Sequence, residues 1–253
     1  MATNFNLYSK YYDLMYHDKD YSSEVNYVIK SLLDSKKNIT EILELGCGSG
    51  AHAKYFSEKG FSITGLDRSE EMIFEAKKKN IPNFEPIIAD ISNFELYKKF
   101  DAVISMFHVV SYLTENNDLL SCFKNVNTHL ENDGIFLFDC WFTPAVYAIK
   151  PENRIKEFEN DEIKVHRTAQ STLDILKNTV SVKFNISIED KSNHESENLS
   201  ETHLMRHFSI PEMEIIAQNS GFKILKVEEL ITKADPSLET WAVCFILQKV
   251  KSL

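Results

Sequence analysis

The sequence contains few cysteines, and they show no arrangement that would bind a metal or build a disulfide framework. The four cysteines of the 253-residue chain stand at positions 47, 122, 140 and 244, without a C-x-x-C pair or a regular spacing. This pattern argues against a zinc site and a disulfide scaffold, and it is typical of a protein from a reducing compartment. We therefore expect no bound metal.

Long apolar runs are also missing. No uninterrupted apolar stretch approaches the roughly 20 residues that a membrane-spanning helix needs. The first 21 residues lack the basic-then-apolar pattern of a signal peptide. We expect a cytoplasmic protein without a membrane partner.

Positive charge is scarce. Arginine occurs only four times, and the formal net charge is −10, with the acids spread along the chain. A nucleic-acid-binding protein of this size normally shows a basic stripe, because neutralising phosphates supplies most of its affinity. The sequence has no such stripe, so we expect no nucleic-acid partner.

Short apolar runs alternate with helical segments through the first 150 residues, after two N-terminal segments, 5–16 and 21–35, that are predicted to be helical. The predicted strands cover residues 40–45, 61–67, 84–90, 100–107 and 134–141. Such alternation predicts an α/β fold with a doubly wound, mostly parallel sheet. Two further strands near the C-terminus, 222–231 and 239–250, would bring the sheet to seven strands as an antiparallel edge hairpin.

The pattern changes between about residues 155 and 208. Two of the runs there alternate with a period of two residues, which is typical of an antiparallel sheet with one solvated face. We interpret this segment as a small antiparallel β insertion. The predicted division is then an N-terminal helical segment (1–35), a core (36–150), the insertion (151–210) and a C-terminal part that completes the core (211–253).

A glycine-rich loop follows the first predicted strand. Residues 42–50 read ILELGCGSG, which places three glycines in the spacing Gly-x-Gly-x-Gly. Glycine lets a strand turn tightly and lets a ligand approach the backbone. The dinucleotide fingerprint is G-x-G-x-x-G, so this loop is close to that pattern without matching it. Taken alone, the loop is equally compatible with a tight connection.

Two aspartates at later strand ends make the loop more informative. Asp67 ends the second predicted strand, 21 residues after Gly46, a distance at which a carboxylate reaches the ribose hydroxyls of a bound adenosine. Asp90 ends the third strand, where an adenine amino group would lie, although an aspartate there is also an ordinary turn residue. Since ligands bind at the carboxyl ends of parallel strands, the combination predicts an adenosine cofactor.

The charge of Glu44 selects among adenosine cofactors. A dinucleotide would bring a pyrophosphate to the glycine loop and favour helix-terminal N–H groups there. A carboxylate at position 44 would repel it. S-adenosylmethionine instead brings an ammonium, a sulfonium and a single carboxylate, so an acid beside the loop favours it.

Four motifs follow one another along the predicted sheet: E-L-G-C-G-S-G, G-L-D-R-S, A-D-I and D-A-V-I-S-M-F. Over about residues 40–140 they resemble the motifs of class I S-adenosylmethionine-dependent methyltransferases, and the last two strands fit that family's edge hairpin. In that family the glycine loop holds the methionine part, the strand-two acid holds the ribose, and the acid after strand three lies by the adenine. The resemblance implies cofactor contacts at Glu44, Gly46, Cys47, Gly48, Asp67, Arg68, Met72, Asp90, Ile91, Met106 and Phe107.

The N-terminal segment YYDLMY and the β insertion resemble small-molecule methyltransferases of the amino-sugar N,N-dimethyltransferase type, which act on nucleotide-linked sugars. In these an N-terminal aromatic segment folds over the cofactor. The resemblance therefore makes residues 1–35 a lid, with Tyr11 at the cofactor and Tyr12 and Tyr16 at the acceptor. It makes the insertion an acceptor cap. An aromatic face of a core helix is the alternative for the tyrosines.

Four further residues are candidates for catalysis or acceptor binding. His108 follows the fourth strand, at the expected point of methyl transfer. Arg167 and Arg206 are candidates for an acceptor phosphate, because a guanidinium pairs bidentately with phosphate oxygens; a solvated strand face is the alternative. Trp141 is either a wall of the acceptor pocket or a core residue.

The implied function is methyl transfer to a nitrogen or oxygen of a small polar acceptor, such as a nucleotide-linked sugar or a surface-polysaccharide precursor. A small amine such as glycine, or another phosphorylated capsule precursor, is an alternative acceptor. From other classes, an NAD-dependent oxidoreductase and a non-catalytic nucleotide-binding module stay open. The sequence leaves the oligomeric state open as well.

Overall fold

The computed structural model describes residues 14–15 and 19–251. The chain divides into two compact units. The larger unit comprises Tyr21–Ile149 and the residues from Arg206 onward, and the smaller unit contains Lys150–Met205 with the described residues up to Asp20.

A seven-stranded sheet organises the larger unit. Its strands are β1 (Glu41–Leu45), β2 (Ser62–Asp67), β3 (Phe84–Ile88), β4 (Phe100–Ser105), β5 (Leu130–Phe142), β10 (Phe222–Glu229) and β11 (Ala242–Lys249). They lie in the order β3-β2-β1-β4-β5-β11-β10. The first five are parallel, whereas β11 runs antiparallel to both β5 and β10. The predicted parallel sheet with an antiparallel edge hairpin is confirmed.

Helices connect the strands. They are α1 (Tyr21–Ser35), α2 (Ala51–Glu58), α3 (Glu70–Lys78), α4 (Asn116–His129), α5 (Thr143–Ile149) and α6 (Ile210–Asn219), with a short 3₁₀ turn at Val109–Tyr112. Ser69 begins α3 as predicted, because its hydroxyl accepts the N–H of Met72 at 3.2 Å. None of the helices in the described part of the chain combines the length and apolarity needed to span a bilayer.

The sheet is buried on both faces. Successive residues of one strand enter opposite clusters: Ile135 and Leu137 of β5 pack in one core, and Phe136 and Phe138 pack in the other. Side chains alternate across a strand, so a strand covered on both faces reads as a continuous apolar run. This explains why the runs of the first 150 residues predicted a parallel sheet.

Helix α1 belongs to the core of the larger unit. Its buried residues, including Val25, Val28 and Leu32, recur at helical spacing and pack with Ile42 of β1. The predicted helix at 21–35 is therefore observed, but the structure places it with the core, whereas the predicted division had grouped it with the N-terminal lid. Of the predicted helix at 5–16, only Leu14 and Met15 lie within the described residues, and both are helical.

The smaller unit is an antiparallel sheet. Its strands are β6 (Arg154–Glu159), β7 (Ile163–Asp174), β8 (Thr179–Asp190) and β9 (Ser196–Phe208), with residues 206–208 of β9 belonging to the larger unit. β7 pairs antiparallel with β6 and β8, and β8 is hydrogen-bonded to β9. Ile163, Val165, Ile186 and Ile188 form its buried core. Sequence analysis missed β6, since most of its residues are exposed and few apolar positions mark it.

Candidate active site at the carboxyl ends of the strands

The glycine loop between β1 and α2 makes a turn that only glycine fits. Gly46 has a φ of 71°, and a methyl group added to it would come within 2.4 Å of a Val109 side-chain carbon. Its N–H donates to the carbonyl of Leu66 at 2.7 Å, which ties the loop to the end of β2. The loop is therefore fixed by local geometry at the carboxyl edge of the sheet.

Asp67 connects the loop to the start of α3. Its Oδ2 accepts the N–H of Gly48 at 2.9 Å, and its Oδ1 accepts the N–H of Ser69 at 2.9 Å. Gly48 has a φ of 52° and opens onto free space, because a methyl group there would meet nothing within 4 Å. A ligand can thus reach the backbone at Gly48, and a carboxylate with about four lone-pair sites keeps acceptor capacity for it.

Glu44 lies behind the loop and is paired. Its side chain is only 1% exposed, and its Oε1 is 3.3 Å from Nδ1 of His52. The other ring nitrogen of His52 lies 2.8 Å from a carboxylate oxygen of Glu24. Burial opposes the charged ring, but the hydrogen bonds to Glu24 and Glu44 outweigh it and raise the pKa of His52 to about 9. The acid at position 44 therefore has a charged partner that the sequence did not indicate.

Asp90, just after the end of β3, stabilises a turn. Its Oδ1 accepts the backbone N–H of Ser92 at 2.8 Å and the Ser92 hydroxyl at 2.7 Å. These two hydrogen bonds, with a further contribution from the charge of Arg68, lower the pKa of Asp90. The turn role is thus observed, and a contact of Asp90 or of the half-buried Ile91 with adenine stays a prediction.

The residues after β4 separate into core and surface. Met106 is 3% exposed and packs in the core cluster beneath the sheet, whereas Phe107 is 44% exposed. Phe107 and His108 both adopt left-handed backbone conformations, with φ of 67° and 62°. Such conformations cost about 1–3 kcal/mol for residues other than glycine and concentrate at functional sites.

His108 forms a close pair with Asp139 of β5. Its ring Nδ1 lies 2.5 Å from Oδ2 of Asp139, and its backbone N–H donates to the same carboxylate at 3.1 and 3.2 Å. Asp139 is fully buried, while the His108 side chain is 22% exposed. A buried carboxylate that orients a partly exposed imidazole is an arrangement suited to proton transfer, with Nε2 as the exchanging nitrogen.

Comparison with known proteins identifies a domain in the larger unit. Residues 42–134 match the model of a methyltransferase domain. This domain and the relatives that carry it support an S-adenosylmethionine-dependent methyltransferase. It is 28% identical over 251 residues to a putative methyltransferase, YqeM, of Bacillus subtilis, covering 97% of this chain and 96% of that one.

Two further comparisons concern relatives with more specific names. An amino-sugar enzyme of Streptomyces venezuelae, dTDP-3-amino-3,4,6-trideoxy-alpha-D-glucopyranose N,N-dimethyltransferase, is 31% identical over 139 residues, which cover 54% of this chain and 58% of that enzyme. The fold matches the crystal structure of an S-adenosylmethionine-dependent methyltransferase from Clostridium acetobutylicum with a TM-score of 0.82 and 22% identity, over 98% and 99% of the two chains.

The residues at the glycine loop fit S-adenosylmethionine. Oε2 of Glu44 is buried and has no hydrogen-bond partner among the described residues, a deficit that an ammonium group would satisfy. Gly48 is open, and Asp67 has acceptor capacity for ribose hydroxyls. Burial, with the charges of Glu44 and Asp67 adding, raises the pKa of the Cys47 thiol, so any cofactor contact at Cys47 would involve the neutral thiol or its backbone.

The other predicted contact residues differ in their exposure, and some lie outside the described residues. Arg68 is exposed and Met72 half-buried near the start of α3, where both stay candidates. Trp141 is half-buried, with its ring 6.3 Å from that of His108 and 5.4 Å from that of Trp241. Tyr11, Tyr12 and Tyr16 lie outside the described residues.

The two arginine candidates already have partners within their own units. Arg206 donates to the carbonyl of Thr114 at 3.1 Å, to Asn116 at 2.8 Å and to Glu212 at 2.6 Å. In the smaller unit, the guanidinium of Arg167 lies 5.0 Å from the Phe184 ring centre. Phosphate binding stays a prediction for both, and the contacts of Arg206 favour a structural role.

Sequence analysis missed two residues at the site, Glu24 and His52, and it assigned no role to Asp139. Asp139 had a signal, since it is an acid within the apolar run GIFLFDCW, at a strand end where ligands bind. Glu24 and His52 had none, because each is a polar residue in an amphipathic helix and only the fold brings them to Glu44.

Proposed function

We propose that the methyltransferase transfers a methyl group to the amino nitrogen of a nucleotide-linked sugar. The observation that carries this proposal is the 31% identity to an enzyme named for N,N-dimethylation of a dTDP-linked amino sugar. That alignment covers little more than half of each chain, so the acceptor has to be argued from chemistry as well.

Methyl transfer needs an aligned nucleophile and a destination for one proton. S-adenosylmethionine supplies the methyl group on a sulfonium, which becomes a neutral thioether when the acceptor lone pair forms the new bond to carbon. Holding two reactants in line can supply about 7–11 kcal/mol of the barrier. The protein therefore contributes mainly by positioning, with a base to receive the proton that the acceptor loses.

The pair of His108 and Asp139 supplies that base. With the buried carboxylate beside Nδ1, Nε2 can take a proton from an acceptor, and the negative charge of the carboxylate stabilises the imidazolium that results. A sugar amine reaches the enzyme largely as an ammonium ion, which has no free lone pair. His108 would accept its proton and leave the amine ready to attack.

The proposal is tested with trideuteromethyl S-adenosylmethionine and a matched set of acceptors. The set contains a dTDP-linked amino sugar, the same sugar with a hydroxyl in place of the amine, dTDP alone, and glycine. Mass spectrometry is expected to show one or two trideuteromethyl groups on the amino sugar, fragmenting with its nitrogen, and none on dTDP.

The control acceptors decide between the alternatives. Methylation of the hydroxyl analogue at a rate equal to or above that of the amino sugar would contradict the choice of nitrogen. Methylation of glycine without methylation of the amino sugar would contradict the proposal that the acceptor is a sugar.

A further inference from the structure

Three residues from three elements meet behind the glycine loop. Glu24 of α1, Glu44 of β1 and His52 of α2 are joined by the two ring nitrogens of His52, at 2.8 Å to Glu24 and 3.3 Å to Glu44. His52 is buried, and the Tyr21 ring packs edge-on against it with 5.1 Å between ring centres. The imidazole thus has a carboxylate on each side and an aromatic edge beside it.

One oxygen of this cluster has no partner. His52 contacts Oε1 of Glu44, whereas Oε2 of Glu44 is buried and has no hydrogen-bond partner among the described residues. The Cys47 thiol, whose pKa the charge of Glu44 helps to raise, is neutral because of its burial and supplies no positive charge.

We propose that His52 is a positioning residue for cofactor binding: clamped by Glu24, it holds one oxygen of Glu44 so that the other oxygen receives the cofactor's ammonium. The proposal rests on Glu44 being a cofactor contact. Without the clamp, the carboxylate of Glu44 can rotate, and the buried Glu44 and the half-buried Glu24 lose their shared counter-charge. Cofactor binding then has to fix the orientation of the Glu44 carboxylate, which the wild-type protein already fixes before the cofactor binds.

The direction of the pH effect follows from the pKa of His52. The folded pKa of about 9 lies above the ordinary value of 6.5, so the charge of the ring supports the cluster fully below pH 6.5. That support is lost as the pH rises through about 9. The cofactor's own amino group also titrates in this region, so the informative quantity is the ratio of the dissociation constants of variant and wild type.

The central test is calorimetric titration of S-adenosylhomocysteine into His52→Gln between pH 6.5 and 10. At neutral pH the affinity should fall about 10- to 100-fold, as expected for losing a hydrogen bond between charged groups. The ratio to wild type should shrink above pH 9, where wild-type His52 is neutral as well. The KM for S-adenosylmethionine should rise, while kcat at saturation stays within a few-fold.

Two variants separate positioning from loss of stability. In Glu24→Gln, cofactor affinity should begin to fall at a lower pH than in wild type. The substitution removes one of the acids that raise the pKa of His52. His129→Gln removes another buried histidine, which bonds Asn125 and Leu96 away from the loop, and should leave cofactor affinity unchanged.

If His52→Gln folds and binds the cofactor with wild-type affinity, the proposal is overturned. If His52→Gln fails to fold, an unchanged pH dependence of affinity in Glu24→Gln overturns it instead. A loss of affinity in Glu44→Gln together with full affinity in His52→Gln would also overturn it, while leaving Glu44 as a cofactor contact. Unchanged affinity in Glu44→Gln would refute the assignment of Glu44 itself.

Discussion

Replacing His108 by alanine is expected to lower turnover by at least about 100-fold if the acceptor atom is oxygen, because general-base catalysis is typically worth 10²–10⁴-fold. A sugar hydroxyl must lose its proton as the new bond forms, so it depends on a base in the site. An amine can give its proton to His108, but it can also shed the proton to water before attack, so a second route remains when the base is removed. For a nitrogen acceptor we therefore expect a smaller loss, mostly from positioning.

Asp139 should matter through His108. Both the ring and the backbone N–H of His108 reach its carboxylate. Asp139→Asn keeps the shape of the side chain but removes the charge that stabilises the imidazolium. The two substitutions act on one unit, so the double variant should be little slower than His108→Ala alone.

Steady-state turnover against pH, measured for wild type and the three variants, tests this pair. Cofactor affinity serves as the control and should be nearly unchanged in His108→Ala. An oxygen acceptor that is methylated at the wild-type rate by His108→Ala would show that the base lies elsewhere or is not needed. Fully multiplicative losses in the double variant would show that the two residues act independently.

Asp67→Ala is expected to weaken cofactor binding by about 2–4 kcal/mol, or about 30- to 700-fold, from two lost charge-assisted hydrogen bonds at roughly 1.5–3 kcal/mol each that add incompletely. The structure adds a second effect. Alanine also frees the N–H groups of Gly48 and Ser69, which the carboxylate now accepts. A strand-end acid outside the core would by itself contribute little to stability, but we expect a loss of about 1 kcal/mol for these bonds.

Ser69→Ala is the matched control for Asp67→Ala. It removes the hydroxyl that caps α3 but keeps the backbone N–H that bonds to Asp67. Its stability should fall by about 1 kcal/mol while cofactor affinity is kept. Titration of both variants with S-adenosylhomocysteine, beside thermal unfolding, separates the two effects. An unaltered affinity in Asp67→Ala would remove Asp67 from the site.

Much of the fold could be predicted because its signals are local. Apolar runs such as EILEL are buried on both faces and alternate with helices, which predicts a parallel sheet without any long-range information. The glycine loop was recognisable for the same reason, since the positive φ of Gly46 is a local requirement. The short helix α5 and the exposed strand β6 lacked such periodic signals and were missed.

The pairs that complete the site could not be read from the sequence. His108 and Asp139 are 31 residues apart, and Glu24 and His52 are 28 residues apart. Each pair meets only because neighbouring strands and the helices packed on them bring distant segments together. For the same reason the sequence identified Glu44 as an acid near the loop but gave no indication that a histidine pairs with it.

Calorimetric titration of the wild-type protein with S-adenosylhomocysteine and, separately, with NAD tests the cofactor assignment most directly. Glu44, the open backbone at Gly48 and the acceptor capacity of Asp67 predict binding of S-adenosylhomocysteine at one site with micromolar affinity. They predict no heat with NAD, because its pyrophosphate would meet the carboxylate behind the loop. Micromolar binding of NAD with no response to S-adenosylhomocysteine would contradict the account.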